Sequence, residues 1–455
     1  MKKAAKNTPD VESLKPTLET LLKLAKKHGA DAADAITAHG RSLSIGVREG
    51  ELEDIDNSEG KEVGLRVFIG QRQATVSSSD LSSISLERLA ERAVAMAKLA
   101  PEDPYCGLAD PARLATDVPE LDIYDATELK AADLFERAKI LDQVTRGVPG
   151  VSMADSASAY AVSSAVYFMT SHGFSKGWRS SQHGLSVMAI AEQDGAMERD
   201  YDYAGSRWYE DLPTPESIAL SAANRALSRL GSKQLPSSAM PVIYDHRVAK
   251  SLVSAFTSAI SGPSISRGVS FLKDAMDTQV FNKQITITDD PYRVRGHGSR
   301  PWDGEGVAGK KMNLIDSGKL TTWILNTASA NQLKLETTGH AHRGIGTPPG
   351  VSTSNTYIHA GEKSPEQLMS DIGNGLLVTD MFGPSLNANT GDYSVGCSGF
   401  AIENGEPSFP VSEITVAGNL KDMYLGMTPA NDLKFDQPTC APSLLIEEMV
   451  VASGS

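Results

Sequence analysis

Cysteine is scarce in this chain: Cys106, Cys397 and Cys440 are its only three, widely separated and without a CxxC pair. That count and spacing argue against a disulfide framework and supply no zinc knuckle, so a reducing compartment is expected. Positive charge is also in deficit. The 43 Lys and Arg residues face 57 Asp and Glu, a formal charge of -14, which repels phosphate backbones and anionic lipid and argues against nucleic acid or membrane as partner. Long apolar runs are missing. No stretch approaches the roughly 20 residues needed to span a bilayer, and the lysines near Met1 are not followed by the apolar core of a signal peptide. A cytoplasmic protein is expected. No strand-to-helix nucleophile elbow is legible either, so an α/β-hydrolase site is unsupported.

What remains is the ordinary balance of a folded protein, 40% hydrophobic and 22% charged. At 455 residues it is long enough for two or three domains. Leu14, Leu18, Leu21, Leu22 and Ala25 recur at helical spacing ahead of Gly29. Short β-branched runs follow at 43–47, 63–69 and 73–77, separated by Glu49-Gly50 and Gly70-Gln71. A second helix is predicted over 86–99 and stopped by Pro101. The proline-bearing segment 101–125 reads as a linker. Beyond it, a helix capped by Thr127 and reaching Gly147 precedes strands at 157–167, 174–180, 185–191 and 198–203. Thr214-Pro215-Glu216 then opens a closing helix that Gly231 ends.

From Pro236 onward glycine, threonine and short strands dominate, with helices expected only near 249–260 and 365–372. Hairpin turns are legible at Asp316-Ser317-Gly318 and Glu403-Asn404-Gly405. The expected class is α+β: N-terminal α-β-α units with antiparallel meanders, followed by a mainly β C-terminal domain. Domain limits fall at 1–110, 111–235 and 236–455.

Two stretches carry spellings that chemistry uses. Gly304 to Lys310 matches the phosphate-loop pattern, but Lys311 stands where Ser or Thr should hold magnesium and no helix opens after it, so a glycine-rich turn is the better reading. His340 and His342 would share one face of a strand and could converge on an ion with His297 or His359. Their glycine-bracketed setting favours a structural or substrate-facing role instead.

The phrases Gly391-Asp392-Tyr393-Ser394, Gly399-Phe400-Ala401-Ile402-Glu403-Asn404-Gly405 and 410–423, with Thr337-Thr338-Gly339-His340-Ala341 upstream, resemble the TldD/TldE family, also called PmbA or modulator of DNA gyrase. The order of these phrases resembles the TldE branch more than TldD. The resemblance implies that the catalytic branch carries HExxxH on a helix early in this domain, with two zinc-binding histidines and a glutamate base. Ser254, Ala255 and Ala259 stand at those positions here. The branch's C-terminal cysteine ligand has Cys440 only in its general neighbourhood, without the surrounding glycine-rich phrase. By resemblance, then, this chain is a subunit of a cytosolic metalloprotease acting on unfolded or short peptides. It would itself carry no catalytic residue and no metal; zinc is expected in a TldD-like partner, and a homodimer when that partner is missing. His340, Arg343, Asp392 and Tyr393 are expected on loops facing the partner or a shared cavity. Two alternatives stay open: a metallopeptidase using His297, His340, His342 and Cys397, and a non-enzymatic binding module for a gyrase or toxin system.

Overall fold

The computed structural model describes residues 10–453; residues 1–9, with the N-terminal lysines, lie outside the described residues. Helix α1 (Lys15–His28) buries Leu18, Leu21 and Ala25 and stops at Gly29, whose φ of 101° is left-handed. Three strands follow, β1 (Ala32–Arg48), β2 (Glu51–Ile69) and β3 (Arg72–Ser78). Glu49 and Gly50 join the first two with φ of 53° and 80°, the double positive φ of the tight hairpin turn. Helix α2 (Ser83–Leu99) lays Leu86, Leu89, Ala90, Ala93, Val94 and Ala97 toward Val63, Leu65 and Val67 of β2.

The second unit repeats this outline with α3 (Ala131–Arg146), β4 (Val151–Thr170), β5 (Ser175–Gln193), β6 (Ala196–Ser206) and α4 (Pro215–Ser228). Both units share one six-stranded antiparallel sheet, ordered β3-β2-β1-β4-β5-β6, because β1 pairs with β2 on one side and β4 on the other. The expected strands at 174–180 and 185–191 are one strand, β5. The acidic residues 51–62, left unassigned by propensity, form the exposed first half of β2 and are held there by pairing with β1. Helix α3 begins later than Thr127, whose N–H is taken by the Asp125 carboxylate (2.9 Å). Asp133 instead accepts the Lys130 N–H at 2.8 Å.

The C-terminal part opens with β7 (Ser238–Tyr244), α5 (His246–Ala259), α6 (Gly262–Ser266) and β8 (Ile287–Asp289). Then come β9 (Met312–Asp316), β10 (Lys319–Leu320), α7 (Thr327–Leu333), β11 (Ala341–His342), β12 (Gly350–Val351) and β13 (Thr356–Ile358). It continues through α8 (Pro365–Ile372), β14 (Gly375–Leu386), β15 (Asp392–Glu403), β16 (Glu406–Asn419) and α9 (Leu420–Leu425) to β17 (Met427–Pro429), β18 (Thr439–Cys440) and β19 (Leu444–Ser453). Strands run β16-β15-β14-β7-β19-β17, and β16 also pairs with β19, which closes β16, β15, β14, β7 and β19 into a barrel. The fold is α+β, as expected. Helices α6, α7 and α9 were not expected; at 5, 7 and 6 residues they are too short to show a helical period. The largest core lies in this domain, where Phe256 of α5 meets Phe281 and Tyr424 edge-on at 5.1 and 6.3 Å.

The sheet and the C-terminal domain touch without spare room at Gly64 of β2, where an added Cβ would strike the carbonyl of Ile345. Because backbone meets backbone there, Gly64→Ala is expected to destabilise the protein by about 1–3 kcal/mol, read as a lowered urea midpoint. An unchanged midpoint would show that the two parts separate freely.

Candidate functional site

Helix α5 starts where the Asp245 carboxylate accepts the Arg247 N–H (2.9 Å). Its inner face, Ala249, Leu252, Val253, Phe256 and Ala259, is buried. Tyr424 locks it further by donating its hydroxyl to the Leu252 carbonyl at 3.1 Å. Ser254 is exposed, and its hydroxyl turns back to donate to the Lys250 carbonyl (3.1 Å). Ala255 is half-buried and Ala259 buried. Two methyl groups and a hydroxyl tied to its own helix offer no ligand set and no base, so these positions do not fit zinc. Among the described residues no group of three or more His, Cys, Asp or Glu could hold a metal ion.

The glycine-flanked loops hold core residues, contrary to the exposure expected of them. His340 is buried between the Thr338 hydroxyl (Nδ1, 2.8 Å) and the Asp289 carboxylate (Nε2, 3.2 Å). Burial alone would raise Asp289; bonds from His340, Ser354 and Thr356 override it and hold the carboxyl at about 2. Arg343 is buried and ion-pairs with Asp34 of β1, which Arg66 of β2 also contacts through Nε at 2.8 Å. Arg66 reaches on to Glu305 at 3.8 Å, and Glu305 accepts the N–H of Thr327 at the start of α7 (2.8 Å). Beside it, Asp303 accepts the N–H groups of Glu305, Val307 and Ala341 at 2.9, 2.9 and 3.0 Å. The phosphate-loop spelling is thus part of a buried charged joint between the sheet and the C-terminal domain.

The other sequence candidates are dispersed. Asp392 is exposed at the start of β15, bonded to Thr390 and Asn419. Tyr393 is buried, and its hydroxyl approaches the Met381 sulfur at 3.9 Å. Cys397 is buried in the barrel with its thiol pushed up to about 12 by burial and then by Asp380. His297 lies in a cleft and the exposed His342 on β11, so His297, His340, His342 and Cys397 form no common site. The spelling Gly173-Phe174-Ser175-Lys176-Gly177, which sequence reading passed over, is the β4–β5 hairpin and has no helix after it.

A cleft of about 650 Å³ gathers what the sequence keeps apart. One wall is the end of β6, an edge strand of the sheet; opposite stand the first turns of α5 and the segments 293–297 and 434–441. Arg247 reaches from α5 to Asp200 (2.9 Å) and the Tyr201 carbonyl (3.1 Å), and Lys250 to the Tyr203 hydroxyl (2.9 Å). Cys440 lines the same cleft and donates its thiol to the Gln437 carbonyl (3.1 Å). The helix and the cysteine that family resemblance named separately are therefore neighbours. No local pattern announces the cleft, because its walls come from four separate segments, the end of β6, the start of α5, 293–297 and 434–441, that meet only through tertiary packing.

Profiles of the PmbA/TldA metallopeptidase match in three parts: domain 1 over residues 33–97, the central domain over 118–230 and the C-terminal domain over 237–453. The metalloprotease PmbA of Escherichia coli O157:H7 is 37% identical over 447 residues, covering 96% of each chain. A Bacteroides thetaiotaomicron VPI-5482 protein described as a modulator of DNA gyrase superposes with a TM-score of 0.90 at 26% identity, covering 97% of this chain and 99% of that one. TldE of Thermococcus kodakarensis superposes at 0.84 with 19% identity, covering 96% and 100%, a likeness of fold.

Removing Arg343 as Arg343→Ala leaves Asp34 buried with Arg66 alone, and a loss of about 3–5 kcal/mol in unfolding free energy is expected. Asp303 gives a pH signature. Burial, then the neighbouring Glu305 carboxylate, raises it to about 7, above its ordinary value of about 3.9. Its stabilising contribution is therefore complete below about pH 4 and lost as pH rises through about 7. Asp303→Asn is expected to flatten that decline in the urea midpoint; a decline of unchanged slope in the variant would assign it to other groups.

Proposed function

The chain belongs to the PmbA/TldD/TldE metalloprotease family, and from that premise we propose that it is the non-catalytic, TldE/PmbA-type subunit of a two-subunit cytosolic peptidase. The observation that carries this reading is α5: it keeps the packing of a central helix but presents Ser254, Ala255 and Ala259 where the resemblance puts two ligands and a base. Zinc, and with it the activated water, belongs to the TldD-like partner. This chain supplies walls for the chamber in which unfolded or short peptides are cut. Beyond Tyr201, whose carbonyl Arg247 takes, the outer edge of β6 borders the cleft and, among the described residues, has no strand partner, so it can pair with the backbone of an extended peptide irrespective of sequence. Of His340, Arg343, Asp392 and Tyr393, Asp392 is the exposed one and so the one open to partner contact.

The test is metal content and peptide cleavage for the chain alone and after mixing with a TldD-like subunit. We expect no stoichiometric zinc and no cleavage alone, cleavage on mixing, and no change from Ser254→Ala. Stoichiometric zinc with chelator-sensitive cleavage by the isolated chain would make it a metallopeptidase in its own right. Capture of a gyrase or toxin component without any proteolysis, by the chain or the mixture, would make it a binding module. Asp392→Ala is expected to weaken assembly severalfold in analytical ultracentrifugation; unaltered assembly would remove Asp392 from the contact.

A further inference from the structure

In a chain carrying a formal charge of -14, the cleft beside β6 is locally cationic. Some of its charges cancel: Arg225 pairs with Asp202 at 3.0 Å and Arg295 with Asp211 at 2.8 Å. Others remain. Arg293 lies with its guanidinium 3.6 Å from the centroid of the Phe435 ring and, among the described residues, no acceptor takes its side-chain N–H groups and no carboxylate pairs with it. Among the described residues, Lys434 has only the His246 imidazole, at 3.4 Å. His297 lines the same cleft: its charged form is disfavoured by burial first and then by Arg207 and Arg293, while Asp436 opposes that effect. A Cβ on Gly205 of β6 would be 3.8 Å from the His297 ring. Phe435 is exposed and edge-on to Tyr357 at 5.1 Å, an aromatic surface beside the two cations.

We propose that this cleft is a subsite for the α-carboxylate of a peptide, taken by Arg293 and Lys434, with the last side chain against Phe435 and Tyr357. The proposal rests on the peptide-handling reading above. Its chemistry follows from three features. A planar guanidinium already immobilised on an aromatic face keeps its donor edge ready for a planar two-oxygen acceptor. Neutral His297 can add a donor N–H without adding charge. The end of the β6 edge, past the Tyr201 carbonyl that Arg247 takes, lies at the same place, so a chain paired with residues 203–206 would bring its terminus to the cations.

The experiment measures binding of the full-length chain to one fluorescent, unstructured peptide in three forms: free acid, C-terminal amide, and amide with a glutamate at the last position. The free acid is expected to bind tighter than the plain amide by about tenfold or more, the size of one to two charge-assisted hydrogen bonds. The double variant Arg293→Gln, Lys434→Gln is expected to bring the acid down to the level of the amide. Equal binding of acid and amide by the unaltered chain would overturn the carboxylate subsite while leaving peptide handling in place. A glutamate amide that binds as tightly as the acid would overturn the terminal assignment in favour of acidic side chains. An acid preference that survives in the double variant would overturn the assignment to Arg293 and Lys434. Binding of none of the three forms would overturn the subsite and the peptide-handling reading together.

Discussion

The arrangement of this molecule depends on buried charges that cannot be left single. Asp34 and Arg66 sit on neighbouring strands of the N-terminal sheet, and Arg343 and Glu305 come to them from loops of the C-terminal domain. All four are buried. An isolated charge in such a place costs several kcal/mol, and only specific partners relieve it, so the cluster tolerates one relative placement of sheet and domain far better than any other. Burial alone would raise the Asp34 carboxyl; Arg343 and Arg66 overcome that and hold it below the usual carboxylate range. The close approach of Gly64 to Ile345 adds a steric lock to the electrostatic one.

That placement creates the cleft. With the sheet docked on its charged joint, the edge strand β6 is brought against the first turns of α5, where Arg247 and Lys250 grip Asp200, Tyr201 and Tyr203. The segments 293–297 and 434–441 then close the remaining sides. Helix α5 turns its apolar face, Ala249, Leu252, Val253, Phe256 and Ala259, into the barrel core and leaves its first turns to line the cleft. Into the space so enclosed project the Arg293 guanidinium, the Lys434 ammonium and the exposed ring of Phe435.

Elements with strong local signals were legible. Helices α1, α2 and α4 follow from apolar spacing and from Gly29, Pro101 and Thr214 at or beside their ends, and the turns at Glu49-Gly50, Ser317-Gly318 and Asn404-Gly405 follow from residues that tolerate positive φ. The acidic half of β2 was not legible, because nothing in Glu51 to Glu62 favours a strand except the neighbour it pairs with. Histidine and arginine on glycine-flanked loops pointed outward by composition, yet His340 and Arg343 turned inward, since Asp289 and Asp34 wait for them from 51 and 309 residues away in sequence. Short-range pattern carries no information about partners at that separation.

By itself the sequence determined the class of fold, the family resemblance and the presence of Ser254, Ala255 and Ala259, none with an imidazole or carboxylate, because each is a property of residue identity or local period. Tertiary structure alone decided that the first two units share a sheet, that the phosphate-loop spelling is a buried joint, and that Arg293, His297, Lys434 and Cys440 meet beside β6. The physical reason is common to all three: long-range pairing of strands and of buried charges is settled by which groups can satisfy one another once water is excluded.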